Sequence, residues 1–107
     1  MKADIRNFNR KPIRGRTIVV LPDGSRLAGS AKDLSLGGMA MLLPRQVAVG
    51  LICTTALETV LDGRVVHFIA QAKVVYSILS GTEGFRIGLL FTQVDAENNK
   101  ILSDLML

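Results

Sequence analysis

Two short polar constellations carry residue types able to hold a ligand. The first is Arg10-Lys11-Pro12-Ile13-Arg14, an Arg-x-x-x-Arg with Arg6 four residues further upstream. Pro12 has no amide hydrogen and forbids a continuous helix through the segment, so these arginines cannot form one helical stripe. The second is Asp33-Leu34-Ser35-Leu36-Gly37-Gly38, an Asp-x-Ser-x-x-Gly that follows about twenty residues later. A guanidinium is a planar fork of donors that fits phosphate oxygens and the O6/N7 edge of guanine, and it stacks on a base. A carboxylate only accepts, which suits the N1–H and N2–H donors on the other edge of guanine. Ser35 adds a hydroxyl, and Gly37 or Gly38 allows close approach to the backbone. Each half also has a plainer reading, as a solvated basic arm and as ordinary turn chemistry. A ligand that joins phosphates to guanine would use both halves.

Other chemistry is hard to place. His67 is the only histidine and Cys53 the only cysteine, so a metal cluster or a Cys–His pair would depend on single residues meeting across the fold. His67 falls in a run of alternating character and reads as a structural or surface residue. Cys53 falls on an apolar face and reads as a buried, inert thiol, while Met39 and Met41 read as core filling. No Gly-Lys-Ser/Thr follows Gly37-Gly38, so the pair is not a P-loop. The expectation is a binding protein with no catalytic residue and no metal.

The elements that must position these groups are strands. Thr17 to Leu21 is a β-branched run stopped by Pro22-Asp23-Gly24-Ser25, and Arg26 to Leu34 alternates loosely as a returning strand would, with Gly29 hinting at a bulge. Met39 to Leu43 resumes the pattern and Pro44 ends it. After a loop over residues 45–50, Leu51 to Leu61 reads as a strand with Leu51, Cys53, Leu57 and Leu61 on one face. Asp62-Gly63 is a strong hairpin turn into the long run Arg64 to Leu79, where Val66, Phe68, Ala70, Ala72, Val74 and Tyr76 share a face. A second hairpin at residues 80–84 leads to Phe85–Phe91. Asp95 is then placed to cap a helix whose face holds Ile101, Leu102, Leu105 and Met106. About six strands and one helix predict an antiparallel barrel closed at one end by the helix.

A chain of 107 residues with 49% hydrophobic and 21% charged residues has the size and composition of one globular domain. Met1 to Arg16 is polar and basic, and no later apolar run reaches the ~20 residues that cross a bilayer, so no membrane insertion is expected. A lone cysteine fits a reducing compartment, and the chain is expected in the cytoplasm. Lys2, Arg6, Arg10, Lys11, Arg14 and Arg16 against the single acid Asp4 more than account for the formal net charge of +4. Basicity confined to an arm points to a local anionic partner and not to a generic polyanion surface.

The pair Arg10-x-x-x-Arg14 with Asp33-x-Ser35-x-x-Gly38 resembles the two-part signature of PilZ domains. The Lys73-Val74-Val75-Tyr76 strand, the Gly84-Phe85-Arg86-Ile87-Gly88-Leu89-Leu90-Phe91 strand and the terminal helix resemble that family's later elements, so the likeness covers nearly the whole chain. It implies a six-stranded antiparallel barrel over residues 17–93, a flexible basic arm over 1–16 that folds over the ligand, and a helix over 95–107. It also implies a cytoplasmic receptor for cyclic di-GMP, with no other cofactor, that acts on a downstream effector protein. Arg10 and Arg14 would hold phosphates and stack on or bond to guanine, Asp33 and Ser35 would read a guanine edge, and Gly37 and Gly38 would shape the turn. Asn9 stands where some relatives that bind a stacked nucleotide pair carry another arginine, with Arg6 and Lys11 as substitutes. One rival is a PilZ-like interaction module without a nucleotide. Another is a barrel for single-stranded nucleic acid, disfavoured because only Phe8, Phe68, Phe85, Phe91 and Tyr76 could stack on bases.

Overall fold

The protein is described by a computed structural model that covers residues 9–107. Its strands are β1 (Lys11–Pro12), β2 (Arg16–Val20), β3 (Arg26–Leu34), β4 (Gly38–Leu43), β5 (Ile52–Leu61), β6 (Arg64–Leu79) and β7 (Phe85–Gln93), followed by the helix α1 (Ala96–Leu105). The β5–β6 turn has the expected form, with positive φ at both Asp62 (51°) and Gly63 (78°), the mirror-image geometry that matches strand twist. All pairings are antiparallel in the order β1-β3-β2-β5-β6-β7-β4, and a further β3–β4 pairing closes β2 to β7 into a six-stranded barrel. Closure leaves no long unpaired edge.

β1 lies outside the barrel on β3, opposite Leu34 and Asp33. The amide of Ile13 donates to the Lys32 carbonyl (3.2 Å) and that of Ala31 to the Gly15 carbonyl (3.0 Å), so the chain is tied to the barrel from Lys11 onward. Residues 11–15, which fall within the expected basic arm, are thus held against β3.

Strand alternation fills the barrel with Val19, Leu34, Met39, Met41, Phe68 and Leu89, each at most 1% exposed. Asp95 caps α1 as expected, its carboxylate accepting the Asn98 amide at 2.8 Å. Leu102 and Leu105 enter the core, with Ile101 and Met106 at its margin. Asn98 Oδ1 accepts the Ile69 amide at 2.8 Å and pins the helix to β6. Thr55 is also fully buried, and its hydroxyl has no partner among the described residues. Thr55→Val keeps the shape and removes an unsatisfied polar group, so urea unfolding should show a gain of about 1 kcal/mol. A loss would mean the hydroxyl is paired after all.

Three register shifts interrupt the ladders, and two of them, in β3 and at Val75 of β6, bear on the candidate site. Leu27 and Ala31 point inward, so strict alternation would bury Asp33. Between Ala31 (opposite Met41) and Asp33 (opposite Ala40) the register shifts by one residue, which turns Asp33 outward and leaves Leu34 in the core. Likewise Val74 faces Leu89 but Tyr76 faces Gly88. The inward position expected for Tyr76 is thus corrected: Val75 is the extra residue, and Tyr76 lies on the outer face. The β3 bulge sits at Lys32 and not at Gly29. Glycine at 29 answers to close packing, since a Cβ there would run into the Leu42 carbonyl oxygen.

Candidate ligand-binding site

The register places Asp33, Ala40, Gly88 and Tyr76 in one row across β3, β4, β7 and β6 on the outside of the barrel. Arg86 is in the adjacent row, opposite Leu42 and Ile78. From there its Nη2 donates to Asp33 Oδ2 at 2.9 Å, while its Nε donates to the Tyr76 hydroxyl at 3.3 Å. The Tyr76 ring lies against Gly88, where any Cβ would collide with it, so the missing side chain at 88 is what lets the ring lie down. The Arg86 pKa is pushed up, chiefly by the hydrogen bond to Tyr76 and further by the Asp33 charge, against the opposing effect of burial. It stays a cation.

The other carboxylate oxygen is differently placed. Arg10 Nη2 stands 3.3 Å from Asp33 Oδ1, with the two side chains 30% and 17% exposed. The separation is that of an ion pair, but the angles are not those of a hydrogen bond, and buried Oδ1 accepts none among the described residues. A buried acceptor in that state costs about 1–3 kcal/mol until a donor reaches it.

The turn after Asp33 is built by Ser35. Its Oγ accepts the amides of Gly37 (3.2 Å) and Gly38 (3.0 Å) and donates to the Gly38 carbonyl (3.3 Å), while its own amide donates to that same carbonyl at 2.9 Å. Ser35 is wholly buried, and its one donor and two acceptor positions are all engaged. In this structure the hydroxyl is committed to the turn and not to an outward edge. Gly37 fixes the turn to β7 by accepting the Phe91 amide at 2.9 Å, and neither Gly37 nor Gly38 has positive φ.

The basic residues divide. Arg10 reaches Asp33, whereas Arg14, beyond β1, is exposed and makes no ion pair among the described residues. Lys11, between them, was expected as a substitute phosphate contact. Instead its Nζ donates to the carbonyls of Leu105 (2.8 Å) and Leu107 (3.3 Å) at the end of α1. That helix has no basic residue in its last turn, and Lys11 supplies the cation its negative end favours. Arg6 lies outside the described residues.

The sequence matches the profile of the PilZ domain over residues 4–107. The chain belongs to the PilZ domain family. No curated protein sequence matches it. Among solved structures it is similar to the Bacillus subtilis inhibitor of motility MotI/DgrA, with a TM-score of 0.79 and 13% identity over 99% of this chain and 52% of that one. It thus spans about half of that protein. It is also similar to the PilZ domain of Escherichia coli YcgR solved with c-di-GMP, with a TM-score of 0.65 and 22% identity over 95% of this chain and 88% of that one. The PilZ domain of CeSA from a cellulose-synthesizing bacterium gives 0.61 and 25% over 91% and 93%.

Elsewhere on this PilZ domain, Arg16 and His67 flank Glu58 on the outer face, at 2.9 Å and 3.1 Å. Their hydrogen bonds, that of Arg16 first, hold the Glu58 carboxyl below its ordinary pKa. His67 is thus a surface residue, and burial pushes the Cys53 thiol up, away from reactivity. A cavity of about 490 Å³ lies between residues 11–16 and the β5–β6 hairpin, where Arg14, Val60, Val65 and Leu105 line it. It is not at Asp33. Converging charge, not concavity, marks the candidate site. Among the described residues no helix is long and apolar enough to cross a membrane.

Sequence reasoning missed Arg86 and Tyr76 as parts of the site. Two clues existed: Gly88 inside an otherwise bulky strand, and Asp33 at an inward parity where an unpaired carboxylate would be prohibitive.

Proposed function

We propose that this PilZ domain is a receptor for cyclic di-GMP that passes the presence of the nucleotide to a partner protein by binding, not by catalysis. One observation carries the reading: an arginine of the first motif half stands against the aspartate of the second, whose Oδ1 is buried and accepts no hydrogen bond among the described residues. Guanine offers two adjacent donors, N1–H and N2–H, to such an acceptor. Arg10 then turns from Oδ1 to a phosphate, where it gains a bidentate partner. Arg14, exposed beyond β1, takes a second phosphate or stacks on a base. Ser35 contributes by holding the turn, with Gly37 and Gly38, against β7. The YcgR domain solved with c-di-GMP supports the choice of ligand through its shared fold.

A relay follows from Lys11. It sits between the two arginines and holds the last carbonyls of α1, so movement of residues 10–14 bears directly on that end of the helix. Calorimetric titration with cyclic di-GMP, GTP and a single-stranded oligonucleotide tests the assignment. Saturable binding of cyclic di-GMP alone is expected, and its stoichiometry gives the number of nucleotides held. No binding of cyclic di-GMP to the folded protein, or equal binding of GTP or the oligonucleotide, would overturn the reading.

A further inference from the structure

Among the described residues, only Arg86 hydrogen-bonds the Asp33 carboxylate. Arg86 Nη2 takes Oδ2 at 2.9 Å, and Arg86 is itself fixed through Nε by the Tyr76 hydroxyl at 3.3 Å. The ring that carries this hydroxyl rests on Gly88, and the β6 bulge puts it on the outer face. The chain Gly88–Tyr76–Arg86–Asp33 thus links β7, β6 and β3. It ends at an oxygen, Oδ1, that is buried and, among the described residues, accepts no hydrogen bond and has only Arg10 beside it, at 3.3 Å. A carboxylate free to rotate could offer either oxygen to a donor, or turn both toward phosphate-binding arginines and read nothing. A guanidinium locked by a second hydrogen bond removes that freedom and directs the remaining oxygen.

We infer that Arg86, held by Tyr76, is a positioning residue that fixes Asp33 so that Oδ1 reads the N1–H and N2–H edge of guanine. The inference rests on the cyclic di-GMP reading and deepens it. Arg86 confers base selectivity through Asp33 and contributes little to the phosphate affinity that Arg10 and Arg14 supply. Without Arg86 the carboxylate loses its fixed direction, and adenine, which lacks that pair of donors, is no longer disfavoured.

The experiment measures dissociation constants for cyclic di-GMP and cyclic di-AMP by calorimetry in the wild-type protein, Arg86→Met, Asp33→Ala and the double variant. The wild type should prefer cyclic di-GMP. Arg86→Met should reduce that preference by roughly tenfold or more, and Asp33→Ala should do the same. The double variant should lose no further selectivity, because the two residues act as one unit. Tyr76→Phe removes only the hydroxyl, and it should move selectivity in the same direction by a smaller factor if Arg86→Met does not fold. Full selectivity in folded Arg86→Met or Tyr76→Phe, or additive losses in the double variant, would overturn the positioning role while leaving the receptor assignment in place. A wild type that binds neither nucleotide would overturn both.

Discussion

Arg14→Ala should weaken cyclic di-GMP binding by about tenfold or more, and Arg10→Ala by somewhat less. A hydrogen bond to a charged group contributes roughly 1.5–3 kcal/mol, and in the proposed complex either residue would supply at least one to a phosphate. The two differ in what they leave behind. Arg10 must first give up its contact with Asp33, a partly exposed ion pair worth under about 1 kcal/mol, whereas Arg14 has no ion-pair partner among the described residues to surrender. The free-state pair is too weak to cancel the phosphate interaction but strong enough to set the order. Calorimetry on the two single variants checks both the size and the ranking. Unchanged affinity in both would remove the arginines from the site.

Phe68→Ala should lower stability by about 3–5 kcal/mol, a large share of the roughly 5–15 kcal/mol that holds a domain together. Phe68 is fully buried, and its ring meets that of Phe91 edge-on, with centroids 5.2 Å apart at 62°. Losing it leaves a cavity and breaks an aromatic pair worth a further ~0.5–1.5 kcal/mol. Phe68 reaches the interior from β6, which pairs with both β5 and β7, so the surrounding strands cannot close on the gap without breaking register. Denaturant unfolding measures the loss. A change below about 1 kcal/mol would mean the interior is not packed around this ring.

Much of the barrel was legible because it rests on local chemistry. Asp62-Gly63 announces its hairpin, Arg64 to Val74 alternates as a strand between core and solvent must, and Asp95 caps the helix three residues before the amide it accepts. The two motif halves were legible as residue types, whereas the 3.3 Å approach of Arg10 to Asp33 is a finding of the structure. What escaped depends on register between distant strands. Arg86 meets Asp33 across 53 residues, and Lys11 meets Leu105 across 94. Tyr76 changes face through a single extra residue that no alternation pattern reveals. Ser35 looked like a ligand group because a hydroxyl beside glycines has two uses, and only the geometry assigns it to the turn.

Amide hydrogen exchange with and without cyclic di-GMP probes site, ligand and relay together. The barrel amides of β5, β6 and β7 are already paired and should change little. Protection should rise at Asn9 to Arg14, where the arginines engage phosphate, and at Asp33 to Gly38, where Asp33 meets the base. Equal exchange of both segments in the presence of saturating cyclic di-GMP would contradict a receptor site formed by these residues.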